Sequence, residues 1–123
     1  MEGRNIIDWF EIPVSNLKEA TTFYENIFGI QFTLGVIKNI NMAFFPRNKV
    51  SGALAEVTED SPFKSGNSGT VVYFNGGDDL NIILNKIPSK NIITPKTLIT
   101  NEIGYYAMFR DIDNNVIGLH SMK

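Results

Sequence analysis

The sequence contains a single histidine, His120, in the stretch "VIGLHS", and no cysteine. One imidazole limits what a metal could find here. A two-histidine, one-carboxylate centre needs two rings per ion, and a histidine-rich zinc set needs as many or more. Doubling the chain into a symmetric dimer leaves the ratio unchanged. Two chemistries remain open to one ring. It could join two carboxylates around a hard divalent ion such as Mn²⁺ or Mg²⁺. It could also exchange protons beside a carboxylate, which raises the ring's proton affinity and fixes its tautomer. Glu11 and Glu56 are the carboxylates in suitable places: Glu11 by strand parity, and Glu56 because it precedes His120 by 64 residues, the spacing of an internal repeat. The bland alternative for His120 is a structural hydrogen bond within a β-hairpin.

Other residue types add binding rather than catalysis. Trp9 offers a flat apolar face for a planar ligand, or for closing an interface between modules. Lys96 in "TPKT" and Arg110 in "FRD" could draw in an anionic group, or stand solvated at strand ends. The segment "NGGDD" at 75–79 precedes a helix but lacks a phosphate-loop pattern. Asp78 and Asp79 would repel a phosphate there, so it reads as an N-cap turn. Without cysteine or a G-x-S-x-G elbow, no nucleophile stands out.

These residues must be positioned by an α+β scaffold. Phe10, Ile12 and Val14 alternate with Trp9, Glu11 and Pro13, the period of a half-buried strand. Pro13 cannot donate to a ladder, so this strand is at a sheet edge or ends there. A helix follows, capped by Asn16 with Glu19 three residues on, and carrying Leu17, Ala20, Tyr24, Ile27 and Phe28 at helical spacing until Gly29 stops it. Short strands are expected at 31–36, 41–45 and 52–57, with "PRNKVSG" turning between the last two. After a polar stretch at 58–69 the order repeats: strand 70–75, a helix bearing Leu80, Ile83, Leu84 and Ile87, then strands near 92–94, 105–110 and 116–122. Leu17 and Leu80 stand 63 apart, and Ala43 and Ala107 stand 64 apart, close to half the chain. The pattern predicts one domain of two βαβββ modules, at about 5–57 and 70–123 with a linker between. Together they would form a curled, mostly antiparallel eight-stranded sheet with a concave cup. Trp9, Glu11, Gly118 and His120 would face that cup, and Glu56 was placed there by the offset of 64.

The stretches "WFEIPVSNLKEATTFYENIFGI" and "FRDIDNNVIGLHS" resemble the vicinal oxygen chelate superfamily, also called the glyoxalase/bleomycin-resistance/dioxygenase superfamily. The resemblance implies paired βαβββ modules, commonly homodimers, with the active cup between modules. Members isomerise hemithioacetals, cleave catechol rings, add thiols to fosfomycin, epimerise acyl-CoA esters or sequester bleomycin. Metal-using members carry ligands at positions that fall here on Trp9, Thr70, Gly118 and either Leu54 or Glu56. Three of those four lack the usual histidine or glutamate, so the expectation is that no metal or other cofactor is needed.

Composition narrows the partners. A formal net charge of −2 provides no basic field for nucleic acid. No run of about 18 apolar residues could span a membrane, and no secretory signal shows in "MEGRNIIDWFEIP". The expected protein is a cytoplasmic homodimer that binds a small organic molecule in its cup, lined by Trp9, Glu11, Thr70 and His120. The alternatives are a glyoxalase-like lyase or isomerase, or a dioxygenase-related enzyme, using either a divalent metal on Glu11, Glu56 and His120 or a Glu11–His120 acid–base pair. A non-catalytic structural or regulatory dimer is the third reading.

Overall fold

The computed structural model describes residues 6–47 and 50–123, so part of the expected "PRNKVSG" turn lies outside the described residues. The chain divides into two compact units between Ser65 and Gly66. The first contains β1 (Trp9–Val14), α1 (Leu17–Phe28), β2 (Thr33–Ile37), β3 (Ile40–Phe44) and β4 (Ser51–Glu56). The second contains β5 (Val72–Asn75), α2 (Leu80–Leu84), β6 (Ile92–Thr100), β7 (Gly104–Arg110) and β8 (Val116–Ser121). Each unit is a βαβββ module with a four-stranded mixed sheet, ordered β1-β4-β3-β2 in one and β5-β8-β7-β6 in the other. In both, the first strand runs parallel to the last and the other pairs are antiparallel.

In the first unit, sequence periodicity becomes layering. Ile12 and Val14 are buried while Trp9 and Glu11 are exposed. The buried side of α1 presents Ala20, Tyr24 and Ile27 to β3 and β4. Each large side chain of this kind stabilises the fold by about 1.5–3 kcal/mol. Asn16 accepts the Glu19 N–H at 3.0 Å and starts the helix. Gly29 ends it at φ 63°, donating its N–H to the Glu25 carbonyl. Pro13 lies on an outer strand, as its missing donor requires.

The sheet face turned away from α1 is not bare. Met42, Ala53 and Ala55 are buried beneath Ile40, Phe44 and Phe63. Phe63 comes from the polar stretch after β4, which folds back instead of bridging the units as a simple linker. The Val57 N–H reaches the Val14 carbonyl at 2.9 Å, and Ser65 Oγ donates to the Pro13 carbonyl at 2.8 Å. Lys64 Nζ donates to the Thr58 and Glu59 carbonyls, which tightens the loop. Residues up to Ser65 therefore belong to the first unit.

The second unit differs from the expected boundaries in two places. Strand β5 begins at Val72, leaving Thr70 exposed ahead of it. Strand β6 extends over nine residues, well past Thr94. Pro95 is tolerated inside it because β6 is an outer strand whose pairing with β7 is already irregular there. Helix α2 is short, capped by the Asp79 side chain on the Asn81 N–H, and buries Leu80, Ile83 and Leu84. The β7–β8 turn is organised by Asp111, 1% exposed, whose carboxylate accepts the N–H groups of Asp113 and Asn115 and the Asn115 side-chain amide. Asn114, at φ 64°, supplies the left-handed residue that closes it.

Candidate functional site

A concavity of the second unit opens on the sheet face opposite α2. It measures about 1430 Å³, ample for an organic ligand. Strand register explains its walls, because directly paired residues share a face. Tyr73 pairs with Gly118, and Gly118 with Met108; Asn75 pairs with His120, and His120 with Tyr106. All of these but Gly118 line the cavity, joined by Ile99 of β6 and by Asp78, Ser121 and Lys123. Their neighbours along the strands, Ile117, Leu119, Ala107 and Phe109, are buried on the helix side.

Gly118 has a specific steric role. A Cβ at this position would lie 2.4 Å from the Tyr73 ring, so the tyrosine rests on the sheet where a side chain is missing. The ring is nevertheless 49% exposed, which makes it a platform. His120 is half-buried, and its Nε2 lies within hydrogen-bonding distance of the Ile103 carbonyl.

The other sequence candidates are dispersed. Trp9 and Glu11 lie together on the first sheet, the indole N–H donating to the Glu11 carboxylate at 3.0 Å. Trp9 also packs near Phe44, with ring centroids 6.2 Å apart. Lys96 is held on the α2 side of its sheet: Nζ lies 3.1 Å from the Asp79 carboxylate and 4.7 Å from the Tyr105 ring centroid. The Asn81 N–H and then Lys96 lower the Asp79 pKa. Arg110 shares strand parity with Tyr106 and Met108 at the far end of β7, where its carbonyl accepts the Asn91 amide.

Glu56 requires a correction. The offset of 64 placed it on the face of Glu11, but the register pairs Glu11 with Ala53 and Val14 with Glu56. Glu56 therefore lies on the helix side, where its carboxylate accepts the Leu17 N–H at 2.9 Å and the Asn41 amide at 3.2 Å. It supplements the cap of α1, satisfying an N–H that the helix cannot. The cause is a one-residue difference between the modules. Ala43 pairs with Leu54 and Ala107 with Leu119, so the last strands correspond at an offset of 65. A shift of one residue turns every side chain to the other face. The true counterpart of His120 is Ala55.

Tyr73, Asn75, Tyr106 and Met108 were not among the sequence candidates. Their signal was present in strand parity: Tyr73 and Asn75 alternate with Val72 and Phe74, but only the pairing with β8 ties them to His120.

The fold and the comparisons agree on ancestry. The family model of the Glyoxalase/Bleomycin resistance protein/Dioxygenase superfamily matches residues 6–119, and the chain belongs to that superfamily. Among solved structures, it is similar to TnmS3, an antibiotic binding protein from Streptomyces sp. CB03234, with 22% identity and a TM-score of 0.66 over 98% of each chain. It is also similar to the genomically encoded fosfomycin resistance protein FosX from Listeria monocytogenes, with 18% identity and a TM-score of 0.65, covering 98% of this chain and 93% of that one. A variant of the Listeria protein, complexed with Mn(II) and 1S,2S-dihydroxypropylphosphonic acid, matches at 17% identity and a TM-score of 0.65 over 97% and 92% of the two chains. No curated protein matches the chain.

The Mn(II) of the Listeria complex finds no matching set at the positions that the family resemblance assigns to ligands here. Trp9, Gly118 and Leu54 offer no ligand atom, and Thr70 stands exposed ahead of its strand. Glu56 is turned to the helix side and bonded at both oxygens. Among the described residues, no three of His, Asp and Glu gather into a group that could hold an ion.

Proposed function

We propose that this chain binds a small organic molecule in the cavity on the second sheet, without a bound metal. The observation that carries the proposal is the lining: an exposed tyrosine laid over Gly118, with Tyr106, Met108, Asn75 and His120 around it. Asp78, Ser121 and Lys123 complete the wall, so an apolar floor is edged by polar groups of both charges, which suits a flat organic ligand with polar substituents. Likeness to an antibiotic binding protein supports the same reading. The proposal includes a cytoplasmic homodimer. Absence of cysteine suits a reducing compartment, and exposed Leu98 and Ile99 on the outer strand β6 offer apolar surface for a second copy.

A catalytic alternative keeps His120 as the proton-transfer group of a glyoxalase-like lyase or isomerase. It is favoured by the placement of an imidazole on the cavity wall. Calorimetry against a panel of planar aromatic compounds tests the first reading. Saturable binding that Tyr73→Ala weakens about tenfold supports it, since stacking of this kind contributes on that order. Saturable binding that is indifferent to Tyr73→Ala would place the ligand elsewhere. Turnover of a hemithioacetal that vanishes in His120→Ala would move the conclusion to the catalytic alternative.

A further inference from the structure

The turn between β6 and β7 sets the chemical character of His120. A carbonyl oxygen can only accept a hydrogen bond, so the ring nitrogen that meets Ile103 must carry the proton. In the neutral ring, that leaves Nδ1 as an unprotonated acceptor. Among the described residues no second hydrogen bond reaches the ring.

The position of the Ile103 carbonyl is itself enforced. Gly104, at φ 98°, follows it, and a Cβ there would lie 2.3 Å from the Ser121 carbonyl oxygen. Only glycine lets the turn come so near β8 with that backbone conformation. The Ile103 N–H donates to Thr100 Oγ1 at 3.0 Å, which pins the turn from its other side. On the cavity floor, the Tyr73 platform pairs with Gly118, two residues from His120 on the same face.

We infer that His120 meets the ligand through Nδ1, with the Ile103 carbonyl as its positioning group, and that the site selects planar molecules carrying an O–H or N–H donor at the edge. This rests on the second-sheet cavity being the ligand site. The floor supplies stacking for the plane of the molecule, and Nδ1 supplies the acceptor for its donor. A planar molecule that turns only acceptors toward His120 finds no donor on the neutral ring and forfeits that bond; Asn75 and Lys123 also line the cavity, so the selection applies to the edge facing His120.

Two measurements on the whole chain test this. Nitrogen-15 NMR of the imidazole, at a pH where the ring is neutral, is expected to show the Nε2–H tautomer; a dominant Nδ1–H tautomer overturns the inference. The second compares 2-naphthol with 2-methoxynaphthalene, which share a ring system but differ in the donor. Binding of 2-naphthol is expected to be tighter by about tenfold, the scale of one net hydrogen bond. His120→Phe should abolish that preference while keeping both probes bound, whereas Gly118→Ala should weaken both by displacing Tyr73. Equal binding of the two probes by the unaltered protein overturns the donor selection and leaves the cavity reading standing. If neither probe binds, the inference and the cavity reading fall together.

Discussion

Asp79 shows how one carboxylate links an element to its neighbour. It caps α2 through the Asn81 N–H and binds Lys96 of β6, and these contacts hold its carboxyl below the usual range. A lowered folded pKa means that the stabilising contribution is complete above the unfolded value and disappears as pH falls through the folded one. Asp79→Asn keeps a capping side chain and removes the charge facing Lys96. Urea unfolding midpoints measured from about pH 6 down to about pH 2 should therefore converge for the two proteins at the acid end and separate above it. Parallel curves across the whole range would show that the charge contributes nothing. Asp111 differs because it is buried. Asp111→Ala strands the N–H groups of Asp113 and Asn115 in the β7–β8 turn, and a loss of about 3 kcal/mol is expected in denaturant titration.

At the scale of elements, α1 was legible because its signals are local. The Asn16 cap, the buried residues at helical spacing and the Gly29 stop all lie within a few residues of the backbone groups they satisfy. The second cap was not legible, because Glu56 arrives from another strand. Its assignment depended on knowing the β3–β4 spacing to the residue, and hydrophobic pattern fixes strand position less finely than that. The same limit hid Tyr73 and Tyr106, whose meeting with His120 depends on pairing between strands distant in sequence. The two caps predict a graded response. Asn16→Ala should cost about 1 kcal/mol. Glu56→Gln keeps the shape but loses the charge at the helix N-terminus and should cost about 0.5–1 kcal/mol. Circular dichroism with urea resolves both. A larger loss for Glu56→Gln together with unchanged stability for Asn16→Ala would show that the carboxylate, not the asparagine, starts the helix.

At the scale of the molecule, the two modules share a topology and put their open sheet faces to different use. In the first, Phe63 packs on Met42, Ala53 and Ala55 and leaves a smaller hollow of about 700 Å³ by Trp9, Ile37 and Phe44; in the second, the corresponding face carries the larger cavity walled by tyrosines, a methionine and the single histidine. Four acidic side chains are engaged elsewhere, and Asp78 is the acidic residue on the cavity wall. Glu11 accepts the Trp9 indole, Glu56 caps α1, Asp79 caps α2 and Asp111 builds a turn. Asp78 lines the cavity with His120, but an ion there needs further ligands, and among the described residues no three of His, Asp and Glu gather into a group that could hold one. Protein stripped with chelator and titrated by calorimetry with Mn²⁺, Zn²⁺, Ni²⁺ and Mg²⁺ is therefore expected to show no stoichiometric binding, and His120→Ala should behave identically. Stoichiometric uptake that disappears in His120→Ala would reverse the argument. It would require Asp78 to join His120 or other carboxylates to leave the partners they hold here, with Glu11 the first of those to test because among the described residues it bonds only an exposed indole N–H.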